Sequence, residues 1–398
     1  MDTTQEIYLD NSATTRVSKE AAEKALYMMT ECYGNPSSLH SKGFAAEKEM
    51  TAAREIIAER LSAQPGEIYF TSGGTESDNI AILGAAHAKK RAGNKIVTTA
   101  IEHPAVLNTM AQLEKEGFEV VYVQPEADGN IPKEKFDAAI DVKTILVSVM
   151  FANNEIGTIE PIAEIGAVCR EKGVLFHTDA VQAVGHVPID LSQLPVDMLS
   201  LSAHKFHGPK GVGVLYAKRG TPLHSLICGG AQERGMRAGT ENLPAIAGMA
   251  AALREACANL EQNAAYVAGL RDRLIAGLET IPHSLLSGDR KNRLAGNVNF
   301  CFEGVEGEAL LLLLDAKGIC ASSGSACTSG SLEPSHVLLA LGLPHEVAHG
   351  SLRLSIGEYN NEAEIDHILE TVPKVVERLR DMSPVWDELV KGERPHLI

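Results

Sequence analysis

The chain has 398 residues, of which 44% are hydrophobic and 22% charged. That balance belongs to a folded globular protein, and the length exceeds what one hydrophobic core usually fills, so two units are expected. A formal net charge of −16 and a pI near 5.4 argue against broad binding to nucleic acid or an anionic membrane, since both want a basic face.

Residues 1–10 have neither the basic start nor the apolar stretch of a secretory signal. The longest apolar run, Ala309 to Leu314, is too short to cross a bilayer. Seven cysteines (Cys32, Cys169, Cys228, Cys257, Cys301, Cys320 and Cys327) are scattered without CxxC pairs or zinc-type spacing, and reduced thiols in a cytoplasmic protein are expected.

In chain order, strand-like runs at 67–71, 95–99, 119–123, 144–150, 175–178, 198–202 and 213–216 alternate with helical stretches at 76–91, 104–116, 161–172 and 245–277. This alternation predicts an α/β fold, a mostly parallel seven-stranded sheet with helices on both faces. Ligands of such sheets bind beyond the carboxyl ends of the strands. The composition shifts across 269–288. Beyond it, a strand-like run at 296–302, helical stretches at 307–317 and from 362 onward, and a Gly/Ser-rich loop at 322–331 predict a smaller α+β unit. The pattern of residues 6–15 places them nowhere.

Several segments carry residues suited to chemistry. Residues 71–79 (TSGGTESDN) follow a strand and open a helix, where glycines and free N–H groups suit a phosphate; an ordinary capped turn reads the same way. Asp179 ends an apolar strand and is either a helix cap or a buried acid in need of a cation, such as a protonated pyridine nitrogen. Lys205 follows another apolar strand between Ala203 and Phe206. Burial there would yield a neutral amine able to condense with an aldehyde; the alternative is a surface lysine. His103 opens a helix after a strand and is suited to stack on a flat ring and move protons, or to a structural role. Arg353 alternates with apolar residues, as a half-buried arginine that captures a carboxylate or makes a structural ion pair. Cys327 lies among glycines and small polar residues, the composition of a mobile, exposed segment, whereas most unpaired cysteines are buried and inert.

Taken in order from residues 8–15 (YLDNSATT) to about Arg380, these segments resemble the NifS/IscS-type cysteine desulfurases, of the class-V aminotransferase branch of fold-type I pyridoxal-phosphate enzymes. The most specific piece is 323–328 (SGSACT), which is similar to the long mobile-loop subgroup. The resemblance implies an aspartate-aminotransferase-like large domain over 16–260. A small domain would comprise 1–15 and 261–398 and carry the cysteine loop. It implies that Lys205 holds pyridoxal 5'-phosphate, Asp179 pairs with the ring nitrogen, Gln182 meets the phenolic oxygen, and His103 stacks on the ring as acid and base. Gly74, Thr75, Ser202 and His204 would bind the phosphate, and Thr240 that of a neighbouring subunit, which implies a homodimer. Asn154 and Arg353, with Asn11 and Ala13, would hold the substrate L-cysteine. Cys327 would take its sulfur as a persulfide, leaving L-alanine, and pass it to an iron–sulfur scaffold protein or another acceptor such as tRNA thiolation. No resident metal is implied; Cys327 is the one residue suited to ligate an iron–sulfur cluster in passing. The same fold also hosts selenocysteine lyases and other class-V aminotransferases, the latter with no use for such a cysteine.

Overall fold

The computed structural model describes residues 6–323 and 333–398. A short strand β1 (Ile7–Tyr8) precedes helices α1 (Lys19–Thr30) and α2 (Ser41–Arg60). An alternating run follows: β2 (Ile68–Thr71), α3 (Gly74–Lys89), β3 (Lys95–Thr99), α4 (Pro104–Lys115), β4 (Glu119–Val123), α5 (Lys133–Ala139), β5 (Thr144–Ser148), α6 (Ile162–Lys172) and β6 (Leu175–Asp179). Strands β7 (Met198–Ser202) and β8 (Gly213–Ala217) complete a seven-stranded sheet of order β2-β8-β7-β6-β5-β3-β4, in which only β8 runs against its neighbours.

Strands β3, β5, β7 and β8 are buried along their whole length, because helices cover both faces of the sheet. Period-two alternation sorts their side chains. Ile96, Leu146, Met198 and Leu215 pack with α3 and α4 on one face, while Val97, Val147, Leu199 and Val214 pack toward α2 and α6 on the other. The core-facing residues of α3 include Gly84, Ala85 and Ala86, which lets the helix lie close on the sheet.

The single helix expected over 245–277 is two helices, α7 (Leu243–Ala258) and α8 (Leu260–Leu278). Asn259 alone separates them, at φ −109° and ψ 7°. Beyond α8 lie β9 (Ser284–Leu286), β10 (Asn297–Phe302), α9 (Gly307–Asp315), β11 (Ile319–Cys320), α10 (His336–Ala340), α11 (His345–His349), β12 (Ser351–Ser355), α12 (Glu362–Asp381) and α13 (Pro384–Val390). β12-β10-β9 form an antiparallel sheet, and β1 pairs in parallel with β11. A separate hydrophobic cluster fills this region and takes Ile7 and Leu9 from the N-terminal stretch. No helix among the described residues is long and apolar enough to cross a membrane.

Candidate active site

Five strands of the large sheet end on one side and deliver their following residues to one cavity of about 310 Å³. Gly74, Thr75 and Asp78 come from the start of α3, His103 from the start of α4, and Met150, Ala152 and Asn154 from beyond β5. Asp179 closes β6, with Val181 and Gln182 behind it, while Ser202, His204 and Lys205 follow β7. Ser12, Ala13 and Arg353 reach in from the second region. Among the described residues, every predicted site residue therefore lines this cavity except Asn11 and Thr240.

Asn11 donates its amide to the Ser355 carbonyl (2.9 Å) and lines a neighbouring cavity instead. Thr240 is exposed. Its segment is tethered beside the start of α3 by Arg237, which donates to Glu76 (2.8 Å). Cys327 lies outside the described residues.

The β2–α3 turn has the features of an anion cradle. Gly73 adopts φ +152°, which L side chains rarely take, and provides no side-chain cap to the 16-residue helix that follows. The first amides of α3 thus face the turn with the positive end of the helix dipole. A Cβ on Gly74 would lie 2.6 Å from Val181 Cγ2, so the cradle depends on its absence.

Lys205 is held by the N-terminal stretch: its Nζ donates to the carbonyls of Ser12 (2.5 Å) and Ala13 (2.9 Å). Gln182 donates to the same Ser12 carbonyl (2.9 Å). Asp179 is buried, and Oδ1 accepts the Val181 N–H (2.9 Å). Burial raises its pKa, while His103, the Val181 amide and Lys205 pull the other way. His103 caps α4, its Nδ1 accepting the Ala105 N–H (3.1 Å), which makes Nε2 the protonated nitrogen of a neutral ring. Burial lowers the His103 pKa, with Lys205 and His336 acting in the same direction against Asp179. His204 is pushed down to about 4 by burial and nearby lysines.

Sequence reasoning left Arg353 open between an ion pair and a carboxylate site. The ion pair is present: Nη2 lies 2.9 Å from Asp10 Oδ1, and Nη1 donates to the Asn154 carbonyl (3.1 Å). The residue is buried rather than half-buried, and its Nε has no hydrogen-bond partner among the described residues.

A buried layer behind the cavity escaped sequence reasoning. His177 on β6 lies between Ser148 Oγ (2.8 Å) and Ser200 Oγ (3.0 Å), and burial drives it down to about 3. Asp78 lies 3.6 Å from it, but an imidazole so depressed is uncharged near neutral pH, so the contact is not an ion pair; burial and then Asp179 raise the Asp78 pKa. Glu102 accepts from Thr99 Oγ1 (2.8 Å) and Met150 N–H (2.9 Å), and burial raises it to about 8. A polar residue at alternate strand positions was the only available signal, and it does not distinguish a network from a solvent face.

Away from this site, one group among the described residues is close enough to share a metal ion: His283, Glu303 and His396. The two imidazoles stack 3.7 Å apart with their planes at 16°. The group pins the tail, with His396 Nδ1 at 2.7 Å and Leu397 N–H at 2.6 Å from Glu303.

The model of the class-V aminotransferase family matches residues 7–368. A cysteine desulfurase IscS of Methanosarcina thermophila is 55% identical, covering 95% of this chain and 94% of that protein. Another of Clostridium botulinum (strain Hall) is 53% identical, covering 98% and 99%. The solved structure of a NifS-like protein superposes with a TM-score of 0.89 at 39% identity, covering 94% of this chain and all of that one.

Proposed function

This chain belongs to the class-V aminotransferases and is a pyridoxal-phosphate-dependent cysteine desulfurase; on that premise we propose how its residues divide the work. The carrying observation is that the Lys205 amine, the Asp179 carboxyl and the uncapped start of α3 meet in one cavity. These residues fit the coenzyme: Gly73 and Gly74 leave room for a phosphate at free amides, Asp179 suits a ring nitrogen, and His103 offers a flat neutral face.

When bound, pyridoxal phosphate supplies an aldehyde that captures amines and a ring that accepts electrons from the substrate Cα. Lys205 would hold the coenzyme through its amine and, when that amine is free, would carry the substrate Cα proton. Asp179 stays ionised when it faces a cation, which offsets the cost of its burial. Gly74, Thr75, Ser202 and His204 hold the phosphate, and Gln182 orients the ring. Arg353, through the edge that carries Nε, and Asn154 hold the substrate carboxylate. Asn11 supports this wall from behind Ser12, and Ala13 positions Lys205 through its carbonyl.

Cys327, as a thiolate, attacks the substrate sulfur. The Cβ–S bond breaks, its electron pair stays on carbon, and His103 or Lys205 returns the protons that complete alanine. The sum is L-cysteine plus the Cys327 thiol giving L-alanine plus the Cys327 persulfide. An iron–sulfur scaffold protein or the tRNA-thiolation machinery is the next acceptor. A homodimer places Thr240 at the partner subunit's phosphate; its exposure and the exposed Leu26, Met29, Tyr33, Leu39 and Phe44 support that reading. Cys327→Ser is expected to keep the coenzyme's near-visible absorption and form no persulfide from labelled cysteine. Normal desulfuration by this variant, or label on another cysteine, overturns the role of Cys327.

A further inference from the structure

The turn that carries Lys205 is tied to both neighbouring segments by one partly buried pair outside the cavity. His207, two residues past Lys205, sits at φ +65° in the left-handed region. Its N–H donates to Thr15 Oγ1 (2.8 Å), and its carbonyl accepts from Ser18 N–H (2.9 Å). Its imidazole Nδ1 lies 2.8 Å from the Arg16 carbonyl, and Nε2 lies 2.8 Å from Glu358 Oε1. A carbonyl only accepts, so Nδ1 carries a proton; a carboxylate accepts too, so Nε2 carries the other. The ring is therefore an imidazolium facing a carboxylate, with side-chain exposures of 9% and 27%.

Glu358 stands three residues past β12, the strand of Arg353. The turn it occupies is fastened to the N-terminal stretch by Asn360, which donates to the Tyr8 carbonyl (3.1 Å). From the other side, His186 Nε2 donates to the Lys205 carbonyl itself (2.8 Å). His186, His207 and Glu358 line a cavity of about 70 Å³ between the two hydrophobic clusters, and Ser12 and Gln182 are shared with the larger cavity.

We propose that the His207–Glu358 pair is a positioning clamp: it fixes the Lys205 turn against residues 12–18 and 355–360, and so sets how the Lys205 amine enters the coenzyme cavity. The proposal rests on Lys205 being the coenzyme lysine. A salt link at this place restrains a backbone turn whose displacement by about 1 Å is enough to cost a reaction 10²-fold.

The clamp has a definite pH window. Burial pulls His207 down, but the bond and charge of Glu358, the Arg16 carbonyl and Glu255 on α7 leave it above the ordinary histidine value. Burial pushes Glu358 up, but the bond and charge of His207, with help from His186, leave it below the ordinary carboxyl value. His186 is held down chiefly by burial, with its bond to the Lys205 carbonyl and the Glu358 charge pulling the other way. The remaining ring against the pair is Tyr359, edge-on to His207 at 5.4 Å, with Arg16 nearby. A raised histidine stabilises the fold at low pH and loses that as pH rises through its raised value; a depressed glutamate loses its contribution as pH falls through its depressed value. The clamp is closed between those limits.

The test uses the coenzyme-loaded enzyme and Glu358→Gln. Expected at neutral pH are kcat reduced about 10-fold or more, a nearly unchanged cysteine KM, a shifted pH midpoint of the coenzyme's absorption, and faster amide exchange over residues 12–18. His207→Gln should match it, and the double variant should be no worse than either. Glu358→Asp, which keeps the charge, should restore part of the spectral midpoint even if Glu358→Gln folds poorly. Unchanged exchange, midpoint and kcat in Glu358→Gln overturn the clamp, as do fully additive single effects. Borohydride fixation followed by peptide mapping keeps the premise separate: a label on a lysine other than Lys205 sinks the site assignment, whereas a label on Lys205 with those unchanged readouts sinks the clamp alone.

Discussion

Asp78, Glu102 and Asp179 lie buried together, and leaving water raises the proton affinity of each, with Asp179 adding to that of the other two. Only Asp179 among these acids has a cation to expect, and burial pushes the other two toward the protonated form. Glu102 is the clearest case: with a pKa of about 8, it is protonated at pH 7. Its Oε1 takes two hydrogen bonds, which an amide oxygen would take equally well. Glu102→Gln should therefore leave stability little changed at acid pH, where the carboxyl is neutral folded and unfolded, and raise it near pH 7. A raised acid lends stability that is complete below the ordinary carboxyl range and is lost as pH rises through about 8. The variant should thus flatten the fall of denaturation free energy between pH 5 and 8, by up to about 1.4 kcal/mol per pH unit. A slope equal to the parent's in guanidinium titrations would mean that Glu102 is ionised in the fold.

The elements differ in how far the sequence announced them, for physical reasons. The strands of the large sheet are continuous apolar runs because both faces are covered, and their predicted bounds fall within about two residues of the observed ones. Helices α1 and α2 went unseen. The buried face of α2 is made of Gly43, Ala46, Ala53 and Ala58 with Ile57, while Phe44 is exposed, so its apolar periodicity is weak. The α7–α8 break has no Gly or Pro to mark it. The cavity was largely legible, since strand ends position it and residues next to a strand end can be read from pattern alone. What pattern could not show was commitment of donors: Arg353 to Asp10, and Asn11 to Ser355. At the start of α3 the element itself is the device, and Gly74→Ala tests it. The added Cβ meets Val181 at 2.6 Å, and overpacking costs about 1–3 kcal/mol. Coenzyme affinity should fall about 5- to 100-fold, measured by absorption during dialysis, and the coenzyme-free protein should melt earlier because the same clash is present there. Undiminished affinity would remove the cradle from the phosphate site.

At the scale of the whole molecule, the hydrophobic residues fall into separate clusters, and the N-terminal stretch crosses between them. Ile7 and Leu9 are buried with β10, β12 and α12, whereas Thr15 and Ser18 bond to the Lys205 turn of the other region. We propose that 16–260 and the remainder, 1–15 with 261–398, behave as two cooperative units joined at the cavity. The first residues of the chain then belong to the unit its last third builds, which local pattern cannot reveal because the partners are some 310 residues away in sequence. Leu9→Ala separates this arrangement from a single indivisible core. Leu9 is fully buried, and its truncation should cost about 2–5 kcal/mol. If the units are distinct, amide protection falls first in β10, β12 and α12, while β5, β6 and β7 keep theirs. Coenzyme binding should weaken as well, because Ser12 and Ala13, which hold the Lys205 amine, follow directly on the loosened strand. An equal loss of protection across both sheets would show one cooperative core, and the large cavity would then be an internal feature of it rather than a junction.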